Sequence, residues 1–203
     1  MKILVIGATG TIGKAVADRL SAKHNIVRAG YRDGDVTLDL GSKASIEAMF
    51  AKVGGLDAVI STAGVANFGP FNELDDDAFD LALANKLMGQ INLVRVGQNH
   101  LNEGGSFTLT AGILSREPMP GSVVISMANG ALESFSRAAA LELPQKLREN
   151  TISPAFVKET MVAMGMDPAP GLSAADTAKA YEVAVEGDLN GATLDAPDYS
   201  SME

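Results

Sequence analysis

Three glycines near the amino terminus have the spacing of a phosphate-binding turn. Gly7, Gly10 and Gly13 stand in VIGATGTIGKAV, directly after an apolar run and at the start of a helical pattern. Glycines there permit a tight turn and a close approach to a pyrophosphate, whose charge the positive end of the following helix attracts. An ordinary strand-to-helix turn is the alternative, but after a buried first strand we favour a dinucleotide site. The predicted site also includes Thr9, Thr11 and Ile12.

The end of the second predicted strand favours NADP(H) over NAD(H). In RAGYRDG, Gly30 stands where NAD-specific folds place an acid that binds the ribose hydroxyls, and Tyr31 and Arg32 follow it. A guanidinium beside the ribose favours a 2′-phosphate through charge-assisted hydrogen bonds. The alternative is that Arg32 is a solvated surface charge paired with Asp33 or Asp35.

Acidic residues in two segments have competing interpretations. Asp39 and Leu40 follow the short third strand in LDL, and Asp39 is either an adenine contact or an acid at a helix start. The segment ELDDDAFD (73–80) suggests a cation site, but carboxylates at the start of a helix also complement its dipole. For this second segment we favour the helix start and predict no metal site.

Apolar runs alternate with helical patterns along the whole chain. Strands are predicted at 2–8, 26–31, 57–63, 106–112, 150–156 and 191–196. Helices are predicted at 11–23 and near 42–53, 78–100 and 121–143. This succession is typical of a single-domain α/β fold, a Rossmann-like doubly wound parallel sheet with helices on both faces. We expect the domain to span 1–197, followed by a polar tail at 198–203.

Composition excludes several classes of function. A formal net charge of −9 disfavours nucleic acid or an anionic membrane as a partner, because both need a basic face. The chain has no cysteine and two histidines, His24 and His100, so neither thiolate chemistry nor a histidine metal site is supported. No segment has the length of a membrane span or the pattern of a signal peptide, and we expect a cytoplasmic protein.

Over nearly its whole length the chain resembles the short-chain dehydrogenase/reductase family. The resemblance rests on the glycine-rich turn, Asp39–Leu40, STAG at 61–64, Asn85 and NTISPAF at 150–156. It implies an oxidoreductase that binds a nicotinamide dinucleotide. It adds four positions to the expected cofactor contacts: Ala63, Gly64, Pro154 and Val157.

The family's catalytic serine, tyrosine and lysine are absent. Aligned without a gap, the stretch GGSFTLTAGILSREPMPGSVVISMANGALE places Gly112 at the serine, Ile125 at the tyrosine and Asn129 at the lysine. None of these residues supplies a proton or a charge, so the family's usual mechanism cannot operate. Asn129 either hydrogen-bonds the nicotinamide ribose or is an ordinary helix asparagine.

Few polar groups remain as substitutes. Ser126 and Thr110 adjoin the lost positions, but a step of one residue turns a side chain away, so we interpret both as structural. Ser115, expected in a loop after the strand, is the best surviving hydroxyl. For Asn85 we favour a structural role at a helix irregularity over binding a catalytic water. Three methionines near the substrate side fit a core gap better than an adaptable pocket: Met161, Met164 and Met166.

Two functions follow from the sequence. The first is an NADP(H)-dependent oxidoreductase whose substrate takes a hydride and a solvent proton, such as a quinone or a polarised alkene. The second is a cofactor-binding sensor or interaction protein without turnover. The chain resembles those family members that keep the glycine-rich motif and lack the usual active-site residues. Apolar residues surround much of helices 78–100 and 121–143, which form a two-fold interface in relatives, so we predict a homodimer or homotetramer.

Overall fold

The computed structural model describes residues 1–202 and contains one seven-stranded parallel sheet. The strands lie in the order β3-β2-β1-β4-β5-β6-β7. Their bounds are β1 Lys2–Ile6, β2 Asn25–Gly30, β3 Val36–Thr37, β4 Leu56–Ser61, β5 Leu101–Thr110, β6 Arg148–Ser153 and β7 Thr193–Asp195. This order reverses direction between β1 and β4, and ligands of such sheets bind at the carboxyl ends of the strands beside that point.

Helices cover both faces of the sheet. They are α1 Thr11–Ser21, α2 Lys43–Val53, α3 Asp76–Leu81, α4 Met88–Gly97, α5 Val123–Ala139, α6 Lys158–Ala163 and α7 Ala174–Glu186. Phe50 of α2 and Leu132 of α5 pack with Phe107 on one face. Leu20 of α1 and Tyr181 of α7 belong to the core on the other face. The single-domain, doubly wound α/β fold is confirmed.

Several predicted boundaries were wrong, each for a local reason. β1 stops at Ile6 because Gly7 turns the chain with a φ of +80°. β5 begins at Leu101, earlier than predicted, because Leu101 pairs with Leu56 before a register shift. α5 ends at Ala139 and not at 143, in keeping with Pro144, which disfavours a helical conformation in the residue before it.

The helix predicted at 78–100 is three segments. A π-helical stretch, Ala82–Leu87, joins α3 to α4, which ends at Gly97. A π-helical turn inserts an extra residue into a helix and changes the direction of the side chains around it. Asn85 and Lys86 lie in this stretch, so the irregularity that the sequence suggested at Asn85 is present.

The end of the chain packs against the domain. Tyr199 lies against the core that contains Tyr181, and Lys179 Nζ donates a hydrogen bond to Ser200 O at 2.7 Å. Within the predicted tail at 198–203, Tyr199 and Ser200 therefore contact the domain, and residue 203 lies outside the described residues.

Glu149 of β6 is a buried acid whose ionisation sets a pH dependence. Its Oε1 accepts a hydrogen bond from Ser136 Oγ at 2.8 Å, and Oε2 has no partner among residues 1–202. Burial raises the pKa of this carboxyl to about 8. Because the pKa is raised on folding, the stabilisation is present below the unfolded pKa and is lost as pH rises through about 8.

Replacing Glu149 with glutamine should remove this pH dependence. We expect the free energy of unfolding of the wild type to fall between about pH 5 and about pH 9, and that of Glu149→Gln to stay nearly level. Urea unfolding at a series of pH values measures both. The same fall in both proteins would contradict this assignment.

Candidate active site

A cleft of about 550 Å³ lies at the carboxyl ends of β1, β2 and β4. The predicted cofactor residues that line it are Gly7, Thr9, Gly10, Tyr31, Asp39, Leu40, Ala63 and Gly64. Asn85 lines it as well. Seven other predicted cofactor contacts do not line the cleft: Thr11, Ile12, Gly13, Arg32, Asn129, Pro154 and Val157. The structure therefore brings the strand-end residues together and leaves the helix residues and the nicotinamide-side residues beyond the cleft wall.

The glycine turn forms a cradle that side chains would fill. The N–H groups of Gly7 and Ala8 donate to Ala29 O at 2.8 and 3.2 Å, which holds the turn against β2. A Cβ on Gly13 would stand 2.0 Å from Gly7 O, so only glycine fits there. Gly10 precedes α1 and has no side chain to cap it. The amino end of α1 is thus open toward a charged ligand.

Thr11 and Ile12 lie on the outer sides of this turn. Thr11 lines a second cavity beside α1 together with Lys14, and Ile12 packs against the core of the α1 face. Their expected contact with a cofactor is thereby limited to their backbone.

The turn after β2 leaves the Arg32 side chain exposed and without an acidic partner in residues 1–202. A Cβ on Gly30 would stand 2.5 Å from Asp33 O, so an acid at this position is excluded by the backbone. The Arg32 guanidinium lies 5.8 Å from the centre of the Tyr31 ring and pairs with no acid in residues 1–202. Asp35 instead accepts the Arg28 N–H at 2.8 Å. Arg32 thus pairs with neither Asp33 nor Asp35, but its side chain is exposed, so a solvated surface charge stays the alternative to a 2′-phosphate contact.

Asp39 is exposed at the rim of the cleft. Its Oδ1 accepts the Gly41 N–H at 2.9 Å, and the residue that caps α2 is Ser42. The interpretation of Asp39 as the acid at the start of that helix is wrong, and the adenine contact stays a prediction. In the other acidic segment, Asp75 caps α3 by accepting the Ala78 N–H at 3.0 Å, as predicted.

Two of the three positions of the missing catalytic residues, Gly112 and Asn129, lie together where β5 ends. Asn129 of α5 is only 1% exposed, and its Nδ2 donates to Gly112 O at 3.4 Å. Its Oδ1 has no hydrogen-bond partner among the described residues. Gly112 has a φ of +152°, and a Cβ there would stand 2.9 Å from Asn129 Nδ2. Restoring a serine at Gly112 would therefore strain the backbone as well as crowd Asn129.

Two hydroxyls near this site are structural, as predicted. Thr110 Oγ1 donates to Ser61 O at 2.5 Å and shares a hydrogen bond with the Tyr181 hydroxyl at 2.6 Å. Ser126 Oγ donates to Ser122 Oγ at 2.9 Å on α5. Both groups are committed within the protein.

Ser115 does not lie in a free loop. It ends a 3₁₀ turn, Ile113–Ser115, and its Oγ donates to Glu133 Oε1 at 2.5 Å, with Gly112 O at 3.0 Å. Glu133 is 6% exposed, and its Oε1 lies 3.5 Å from Arg116 Nε. Sequence reasoning missed Glu133, although it stands four residues after Asn129 and so on the same side of α5.

Asn85 makes a hydrogen bond to the backbone, in keeping with the structural role that we favour. Its Oδ1 accepts the Val65 N–H at 2.9 Å and so fixes the loop that follows β4. The next residue, Lys86, was not singled out in the sequence, yet it is buried with an exposure of 7%. The Nζ of Lys86 donates to the carbonyls of Thr110 and Ala111, both at 3.4 Å.

The segment after β6 borders the same region. Pro154 O accepts the Ile113 N–H at 3.0 Å, and Val157 is buried at the start of α6. Met161 fills the core as expected, but Met164 and Met166 are 66% and 39% exposed. The core-gap interpretation is therefore wrong for those two methionines, because α6 is a single short helix that buries one side.

The residues in the cleft, and those beside it at the end of β5, fit a nicotinamide dinucleotide. In the cleft, the glycine turn has no room for a Cβ at Gly7 or Gly13 and meets the open end of α1. Beyond the cleft wall, where β5 ends, the buried Asn129 Oδ1 lacks a donor, which a ribose hydroxyl would supply. Within residues 1–202 no group of three acidic, histidine or cysteine side chains is placed to hold a metal ion, and no helix has the length and apolar character that crossing a membrane requires.

Comparison with known proteins identifies the family of this chain. A family model described as enoyl-(acyl carrier protein) reductase matches residues 4–185. An uncharacterised oxidoreductase of Methylorubrum extorquens is 30% identical over 178 residues, 76% of this chain and 72% of that protein. Versicolorin reductase 1 of Dothistroma septosporum is 28% identical over 156 residues, 74% of this chain but only 59% of that protein's length. The chain belongs to the short-chain dehydrogenase/reductase family.

Solved structures show the same fold. The protein lin1944 from Listeria innocua is 40% identical, with a TM-score of 0.92 over 96% of this chain and 98% of that one. A small-chain dehydrogenase solved in complex with NADPH is 28% identical, with a TM-score of 0.85 over 96% of this chain and 95% of that one.

Proposed function

We propose that the protein is an NADP(H)-binding oxidoreductase that works without the family's serine, tyrosine and lysine. The observation that carries the proposal is the glycine cradle facing a cleft that Tyr31 lines, followed in the chain by Arg32, a guanidinium with no acidic partner in residues 1–202. A guanidinium at this end of the cleft favours a 2′-phosphate and therefore NADP(H) over NAD(H). The NADPH complex of a 28% identical dehydrogenase supports the same cofactor.

Each part of the cleft has a role in holding the cofactor. The backbone of Gly10 through Gly13 would hold the pyrophosphate, and Asp39 and Leu40 would contact the adenine end. Ala63, Gly64 and Asn129 would hold the nicotinamide ribose. Pro154 and Val157 would border the carboxamide through their backbone. When bound, the nicotinamide supplies a hydride.

The chain's own residues must stabilise the negative charge that hydride transfer places on the substrate. Ser115 Oγ is the surviving hydroxyl beside the Gly112 position, and Glu133 Oε1 orients it through a hydrogen bond of 2.5 Å. When that O–H turns from Glu133 to a substrate carbonyl, it would donate a hydrogen bond to the oxyanion that hydride transfer creates, and the proton that completes the product would come from solvent. A quinone or polarised alkene suits this site best, since its reduction also tolerates a proton from solvent.

Ser115→Ala should lower the rate of NADPH oxidation with a quinone acceptor on the order of a hundredfold, because the hydrogen bond to the substrate oxygen is lost. The dissociation constant of NADPH should not change, since Ser115 does not line the cleft. Ser126→Ala is the matched control, because Ser126 bonds only within α5. Unchanged turnover in Ser115→Ala would remove Ser115 from the proposal.

A second function, an NADPH-binding sensor or interaction protein without turnover, is favoured by one observation. Gly112, Ile125 and Asn129 occupy the three catalytic positions, and Ser115 is tied to Glu133. Tight binding of NADPH with no oxidation by a panel of quinones and carbonyl compounds would select this function. Steady turnover would select the oxidoreductase.

The proposal includes a homodimer or homotetramer in the cytoplasm. Apolar side chains remain exposed on the helices that form a two-fold interface in relatives, namely Leu81, Leu83, Met88, Val123 and Met127. A second copy of the chain would cover them. The net charge of −9 supports neither nucleic acid nor membrane as a partner.

A further inference from the structure

Lys86 is a buried amine that enters the site from the π-helical stretch. Its side chain runs beside Gly64, where a Cβ would stand 3.0 Å from Lys86 Cγ and where φ is +151°. A side chain at position 64 would thus meet both a strained backbone and the lysine. The loop after β4 is shaped to let this lysine pass.

The Lys86 amine reaches the end of β5 beside the position of the missing catalytic groups. Its Nζ donates to the carbonyls of Thr110 and Ala111, both at 3.4 Å, while Asn129 Nδ2 donates to the next carbonyl, that of Gly112. One lysine and one asparagine thus contact three consecutive carbonyls. An ammonium has three N–H donors, so one is left beyond these two long bonds.

No acid compensates the charge of Lys86 among residues 1–202. Glu133 of α5 is held by Ser115 and Arg116, and the acids of α3, Asp76, Asp77 and Asp80, are exposed. The remaining close neighbours are polar but neutral, such as Gln90, whose Nε2 also donates to Thr110 O at 3.0 Å. Burial lowers the pKa of Lys86 to about 8, which leaves it mostly charged at neutral pH. A buried ion without a counterion costs stability, so a function is the better explanation.

We propose that Lys86 supplies the positive charge at the nicotinamide end of the cleft, which Asn129 cannot supply. This inference rests on the proposed function. The Thr110 and Ala111 carbonyls hold the Lys86 ammonium in place. Lys86 is therefore a positioning residue, and it acts on the bound nicotinamide ring through its electric field. A fixed positive charge there disfavours the cationic ring of NADP⁺ relative to the neutral ring of NADPH. The chain should therefore bind NADPH more tightly than NADP⁺.

Calorimetric dissociation constants for NADPH and NADP⁺ test this without any turnover. The ratio of the NADP⁺ constant to the NADPH constant should fall on the order of tenfold in Lys86→Met, because a unit charge is removed from a poorly screened site. Lys86→Arg should keep most of the ratio. Lys179→Met is the control, since Lys179 pairs with Asp176 and Ser200 on α7 and at the chain end.

The outcomes separate this inference from the proposed function. If the wild type binds both dinucleotides and Lys86→Met leaves their ratio unchanged, the role of Lys86 is overturned and the proposed function stands. If the wild type binds neither dinucleotide, both fall. Should Lys86→Met fail to fold, the wild type carries the test, because raising pH through about 8 neutralises Lys86 and should lower the same ratio. A ratio that is constant with pH would overturn the inference.

Discussion

Gly10→Asp should abolish NADPH binding at micromolar concentrations and leave the chain at least as stable as the wild type. Gly10 is the residue before α1, with φ −84° and ψ 173°, a conformation open to any residue. A Cβ there meets nothing closer than Gly7 O at 3.4 Å. Aspartate at a helix start accepts backbone N–H groups and is favoured there. The same carboxylate would occupy the place of the pyrophosphate and repel it, with a loss of affinity of about a hundredfold or more.

Gly10→Ser is the matched control for this variant. Serine caps a helix as aspartate does but has no charge, so its effect on NADPH affinity should be much smaller. Thermal unfolding and an NADPH titration on the three proteins give both quantities. NADPH binding by Gly10→Asp at wild-type strength would mean that the cofactor does not use this cradle.

Arg32→Glu should reverse the preference between the two dinucleotides. The exposed guanidinium has no acidic partner to lose within residues 1–202, so the substitution should leave the fold unchanged. A carboxylate there repels a 2′-phosphate and accepts ribose hydroxyls. We expect NADPH affinity to fall on the order of a hundredfold, while NADH affinity holds or rises.

Arg95→Glu tests whether a mere change of net charge has the same effect. Arg95 lies on α4, where its Nη1 donates to Asn92 Oδ1 at 3.0 Å, and it does not line the cleft. Both titrations should match the wild type in this control. An equal loss of NADPH and NADH affinity in Arg32→Glu would assign Arg32 a role other than reading the 2′-phosphate.

The sequence predicted the fold and the strand-end residues that line the cleft because these depend on local patterns. Buried strands without polar alternation indicate a parallel sheet, and glycines at 7, 10 and 13 indicate the turn that must follow the first strand. Once the fold is a doubly wound sheet, the strand ends at Tyr31, Asp39 and Gly64 must meet at one edge. The cleft that these residues share can therefore be predicted from the fold alone.

The nicotinamide end was less predictable because its contacts join distant elements. The bond between Ser115 and Glu133 depends on how the 3₁₀ turn packs against α5. In the sequence pattern of a regular helix, Lys86 would be predicted on the surface. Its side chain is buried because the π-helical stretch changes the direction in which it points. The exposure of Met164 and Met166 likewise follows from a helix end that no pattern marked.

A crystal structure of the chain with NADPH is the most direct test of whether the cleft holds the cofactor. We expect the pyrophosphate against the turn from Gly10 to Gly13, the 2′-phosphate beside Arg32, and a nicotinamide ribose hydroxyl within hydrogen-bond reach of Asn129 Oδ1. A cleft that stays empty at saturating NADPH, or a cofactor bound elsewhere on the chain, would contradict this expectation.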